Sequence, residues 1–189
     1  MANLIIKPTS GGLLKLQEDG GTDAISIGTD GKSTITHANI TAWTPPAGCL
    51  LQVVQGTHHA ESASSTSTSF VATGISVAIT PSAASSKVLI SASTSIWLGD
   101  AGYVSYSTIY RGSTNLSEDS GGFANTHQSS GSTAGDDLLT HINMMYLDSP
   151  NTTSATTYEI YTRVSNSAMS QRWSMNGSTS VIIAQEIAG

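Results

Sequence analysis

The histidine pair His58-His59 is the first place in the chain where side chains could hold a ligand, because imidazole nitrogens bind transition metals. Adjacent residues on a strand point to opposite faces, however, so both rings cannot serve one ion, and no His-x-His spacing aligns them. A polar loop or strand end is the expected setting. Asp19, Asp23 and Asp30 sit in glycine-rich turns and raise the question of calcium, but they lack the ordered oxygen pattern and closing glutamate of a calcium loop. Turn stabilisation by their own carboxylates accounts for them. Hydrolysis would need facing carboxylates, or a nucleophile beside a base. The available acids are Glu118-Asp119, Asp136-Asp137, Asp148 and Glu159, and all but Glu159 fall in expected loops. No catalytic residue, metal or cofactor is expected, and the chain does not read as an enzyme. Trp43, Trp97, Trp173 and the tyrosines, among them Tyr106, Tyr110, Tyr158 and Tyr161, could stack on sugar rings. Packing in a core or subunit interface is the use expected of them.

The elements that would position these residues are strands. Ile75, Val77 and Ile79 alternate with Ser76, Ala78 and Thr80, and Val88, Ile90, Ala92, Thr94 and Ile96 continue the pattern. Such period-two alternation marks strands with one buried face. Beyond Leu50 the expected strands are Leu50–Gln55, Ser69–Thr80, Lys87–Ile96, Val104–Arg111, Leu138–Leu147, Thr156–Val164, Met169–Trp173 and Thr179–Ile187. That number suits a jelly-roll β-sandwich. Met175-Asn176-Gly177-Ser178 carries a hairpin signal, and the glycine-rich stretch from Ser117 to Asp137 reads as a long loop. Asp136 to Leu147 reads equally as helix or strand.

Residues 1–48 differ in character. Leu4–Lys7, Leu13–Leu16, Ala24–Ile27 and Thr34–Thr36 are very short apolar runs separated by glycine, and Thr44-Pro45-Pro46-Ala47-Gly48 is a stiff connector. Strands so short need partners from adjacent chains or another protein. The expected division is an N-terminal attachment arm over 1–48 and a sandwich head over 49–189. Leu4, Ile5, Ile6, Leu14, Leu16, Ile25, Ile27 and Trp43 are the arm's anchoring residues.

Composition narrows the function. Charged residues make up 11% of the chain, whereas serine and threonine supply 55 of the 189 residues. Seven basic residues against thirteen acidic ones form no stripe for neutralising phosphates, so nucleic acid is not an expected partner. Cys49 stands alone, which excludes an internal disulfide. No apolar run is long enough to span a bilayer, Ala2–Lys7 is too short for a signal peptide, and a cytoplasmic product without membrane insertion is expected. A hydroxyl-rich surface poor in charge suits a chain inside a symmetric assembly.

The segments Asn3–Pro8, Leu13–Gln17 and Gly28–Gly31 resemble the N-terminal part of tail-fibre-like proteins of tailed phages, notably those infecting aquatic bacteria. The resemblance continues at Gly74–Pro81, Lys87–Ile90, Tyr146–Pro150 and Ile183–Ile187. It implies a homotrimeric virion protein made in the host cytoplasm, with a head similar to the jelly roll of tumour-necrosis-factor and complement-C1q proteins. Its partners would be its own copies, the major capsid protein or tail proteins, and a host surface glycan. A decoration, or cement, role on the capsid surface is the first expectation, because few residues are available for a fibre stalk. A short tail fibre or carbohydrate-binding receptor spike is the alternative. Terminal strands of such heads lie near the threefold axis, which makes Ile182, Ile183, Glu186 and Ile187 the expected subunit contacts. Within that strand Val181, Ile183 and Gln185 face one way, and Ile182, Ala184 and Glu186 the other.

Overall fold

A computed structural model describes residues 14–17, 23–27, 33–35, 45–99, 102–128 and 137–189. The chain divides between Thr44 and Pro45 into two compact units. In the smaller, β1 (Leu14–Gln17), β2 (Asp23–Ile27) and β3 (Ser33–Ile35) form an antiparallel sheet in that order. Leu14 falls opposite Ile27, and Leu16 opposite Ile25. Consecutive strands pair within the chain, so β2 uses both of its edges there and does not need the borrowed partners expected for it, whereas β1 and β3 each pair along one edge among the described residues. Leu4, Ile5, Ile6 and Trp43 lie outside the described residues.

The larger unit contains β4 (Leu50–His58), β5 (Val71–Ile79), β6 (Lys87–Gly99), β7 (Val104–Arg111), β8 (Thr114–Asn115), β9 (Ala124–His127), β10 (Leu138–Asp148), β11 (Thr156–Val164), β12 (Ser170–Trp173) and β13 (Ser180–Ile187). Two antiparallel sheets pack together as a β-sandwich. The first runs β10-β6-β13-β4 with β12 also paired to β6, and the second runs β5-β11-β7-β8 with β9 also paired to β7. Gly48 donates its N–H to the Ala188 carbonyl at 2.7 Å, and Ala188 returns one to Cys49 at 2.8 Å. The end of the proline connector therefore belongs to the larger unit, a few residues earlier than the expected boundary at 48.

Alternation decides which side chains enter. Ile75, Val77 and Ile79 of β5 meet Val88, Ile90 and Ala92 of β6 in the core, with Ile109, Ile142, Met144, Tyr158, Ile160, Ile182 and Ala184. Trp173 joins this interior and donates its indole N–H to the Thr73 carbonyl at 2.8 Å. Hydroxyls fill part of the interior as well. Ser105 and Thr162 both donate to Oε1 of the buried Gln171, and the Ser180 hydroxyl bonds those of Thr94 and Ser174.

Two turn expectations need correction. The segment after β12 does not reverse as a hairpin, because β12 and β13 both run antiparallel to β6, one after the other. Asn176 and Gly177 do take positive φ, but so does Ser174, and the chain makes a brief excursion before resuming its course. The long loop from Ser117 also contains β9, whose Ala-Asn-Thr-His sequence has no apolar rhythm. Its strand character comes from backbone pairing to β7.

Candidate functional site: two unlike sheet faces

The outer face of the first sheet can be followed row by row from the strand register. Asn143, Ser93, Val181 and Thr57 form one row, and Met145, Ser91, Ile183 and Gln55 the next. Leu147, Leu89, Gln185 and Val53 form a third, and Lys87, Ile187 and Leu50 a fourth. Ser91 and Ser93 are small, so the surface dips between Met145 and Ile183. The result is a hollow of about 280 Å³, lined by these residues with Asn143 and Val181.

The large hydrophobic side chains most exposed among the described residues are Leu50, Val53, Leu139, Met145 and Leu147. All five belong to β4 and β10, the outer strands of this one sheet, and Met145 is 68% exposed. The charged residues among the paired outward positions are Lys87 and Arg172, at opposite ends of β6. Arg172 lies over the Trp97 ring at 5.4 Å and pairs with Glu61 at 3.1 Å. Depletion of charge around exposed apolar residues is the composition of an interface centre.

The second sheet presents aromatic rings. Tyr110 and Tyr161 stack with centroids 3.9 Å apart, and Phe70 meets Tyr110 edge-on at 6.2 Å. Arg163 lies 4.1 Å from the Tyr106 centroid and 5.4 Å from that of Phe70, and donates two bonds to the Ser120 carbonyl. Beside this ridge, Ala72, Gly74, Ser76 and Ala78 of β5 form an exposed shelf of small residues. Gly74 has φ +80°, and a register shift in the facing β11 leaves its N–H to the Glu159 carboxylate, 2.9 Å away. Tyr158, by contrast, points into the core.

The expected subunit contacts separate. Ile183 and Ile187 are half-buried on the outer face, whereas Ile182 and Glu186 are 0% and 1% exposed within a single chain and are corrected to interior positions. Strand parity turns alternate residues inward, and nothing from another chain is needed to cover them. Glu186 accepts hydrogen bonds from the Ser82 N–H and hydroxyl, the Ser86 hydroxyl and Gln52. Burial alone would raise its pKa, but these donors outweigh that effect and hold it down at about 2.

Asp148 is also corrected, from a loop acid to the buried last residue of β10. It accepts two bonds from Arg111 at 2.7 and 2.9 Å and one from the Tyr158 hydroxyl at 2.7 Å. Burial, then this bond to Asp148, push the Tyr158 pKa up. Sequence spacing could not reveal either cluster, since their partners lie up to 134 residues apart. His58 ends β4, and exposed His59 bonds the Thr179 hydroxyl at 3.1 Å. Among the described residues no three His, Cys, Asp or Glu side chains converge to hold a metal. No protein-family model matches this chain, and no curated protein matches it.

Proposed function

We propose that the chain is a structural protein of a phage virion, assembling as a homotrimer and decorating the capsid surface. The supporting observation is that, among the described residues, the five exposed large hydrophobic side chains are confined to one nearly uncharged sheet face. Closed cyclic assembly needs two complementary surfaces on each subunit. The β10 ridge of Leu139, Met145 and Leu147 and the β4 ridge of Leu50 and Val53 supply two, one at each edge of that face. In this reading the sandwich is a jelly roll. Support comes from the strand order, in which β4, β6, β10 and β13 share one sheet while β5, β7, β8 and β11 share the other. The β1–β3 unit serves as the attachment arm.

A receptor-binding spike is the second reading, favoured by the tyrosine ridge on the opposite sheet. Antibody labelling of intact virions in the electron microscope separates the two. Label distributed over the capsid shell supports decoration, and label confined to the tail supports the spike. Virions without label, where the protein is abundant in the infected lysate, overturn both.

A further inference from the structure

The outer faces of the two sheets differ in chemistry. Exposed large aliphatic side chains cluster on the first sheet and are missing from the described outer residues of the second. The second face instead combines stacked tyrosines, a shelf of small residues and one carboxylate. Tyrosine and arginine also occur at protein interfaces, but here Arg163 and the rings already pack on one another, and the shelf beside them offers a protein partner only small side chains. A phosphate or sulfate group would also find little. Arg163 is committed to the Ser120 carbonyl and two rings, and Arg111 is committed to Asp148.

We propose that this face binds a neutral hexopyranose polysaccharide, laid along the β5 shelf against the tyrosine ridge. A pyranose ring has one face of C–H groups and a rim of hydroxyls. The C–H face suits an aromatic wall, which is apolar in its body and polar at its tip when the residue is tyrosine. Ala72 lies opposite Tyr161 and Ser76 opposite Glu159, so the shelf of small side chains runs directly beside the ridge, bordered at Gly74 by the His58 ring, 3.6 Å from where a Cβ would stand there. Glu159 uses Oε1 to accept from Gly74. Its Oε2 makes no hydrogen bond to a described residue and can accept from a sugar hydroxyl. The Tyr106, Tyr110 and Tyr161 side chains are all half-buried, so their rings are held in place before a ligand arrives.

This inference deepens the spike reading, and it is compatible with decoration because the shelf lies on the sheet opposite the self-association face. The test is affinity electrophoresis of the whole protein in native gels containing dextran, laminarin, galactan or mannan. Retardation is expected in at least one gel. Ala72→Gln fills the shelf beside Tyr161 without removing any packed ring and should weaken binding roughly tenfold, as should Tyr161→Ala. A melting curve and native mass are recorded for each variant. If Tyr161→Ala fails to fold, Ala72→Gln alone decides. Absence of retardation in all four gels overturns the inference, and so does retardation that Ala72→Gln leaves unchanged. The oligomeric mass and virion labelling are measured separately, so failure here is distinguishable from failure of the virion reading.

Discussion

Glu186 and Ser82 are 104 residues apart in the chain and meet through two hydrogen bonds, at 2.7 Å from the backbone N–H and 2.6 Å from the hydroxyl. With Ser86 and Gln52, this contact ties the β5–β6 connection and β4 to β13. Because the folded pKa lies below the ordinary value, the carboxylate stabilises the fold fully above about pH 4.5. That stabilisation is lost as pH falls toward 2. The shift from 4.5 to about 2 corresponds to about 3 kcal/mol. Glu186→Gln sets an amide against the Gln52 amide donor, and it should lower the melting temperature at pH 7 by roughly 6–12 °C. Thermal melts between pH 2 and 7 check this: the wild-type protein should lose stability in the acid range, and the variant should show a flatter profile there.

The Asp148 cluster makes a second prediction. Asp148 is 5% exposed and draws its donors from Arg111 and Tyr158. Arg111→Met leaves that carboxylate short of its counter-charge and should cost roughly 3–5 kcal/mol. Tyr158→Phe removes one donor and should cost about 1–3 kcal/mol. The double variant Arg111→Met, Asp148→Leu should recover only part of the first loss, since no buried charge remains but the buried Tyr158 hydroxyl loses its acceptor. Urea unfolding of all three variants gives the comparison.

Deletion of the arm is a third case. The larger unit carries both sheets and its own tie between Gly48 and Ala188. A truncated chain beginning at Gly48 should therefore fold with its melting temperature nearly unchanged and self-associate, yet fail to join virions. Circular dichroism, native mass and incorporation into particles test these points. Normal incorporation of the truncated chain would remove the attachment role from β1–β3.

Much of this fold is legible in the sequence where burial and strand parity coincide. Val104–Arg111 and Thr156–Val164 are strands with the expected ends; alternation of buried and outward residues runs the whole length of the second, and in the first it holds as far as Ser107, before Thr108 and Ile109 are both buried. The same parity separates Ile182 from Ile183 correctly, but assigning both to an interface overlooked that the inward side already has a full covering of its own chain. β9 and the non-hairpin course from β12 to β13 were illegible, since both depend on which distant strand offers a free edge. The exposed apolar face of the first sheet was hidden for a similar reason. Leu139, Met145 and Leu147 from one strand and Leu50 and Val53 from another lie on one surface only after four strands have paired.

Neighbouring isoleucines of β13 should respond in opposite ways to the same substitution. Ile182→Asp places a carboxylate in a fully buried site and should cost several kcal/mol, enough to unfold the head. Ile183→Asp places it on the half-buried outer face, where the single chain can leave it hydrated. That variant should stay folded. Circular dichroism on both variants distinguishes the two positions.

Self-association through the first sheet is tested most directly by native mass spectrometry of the whole protein beside Ile183→Asp and Met145→Asp. The wild-type protein should fly as three chains, and each variant as a single folded chain. A wild-type protein that is monomeric at micromolar concentration would contradict the trimer. Variants that remain trimeric would show that copies meet through some other surface.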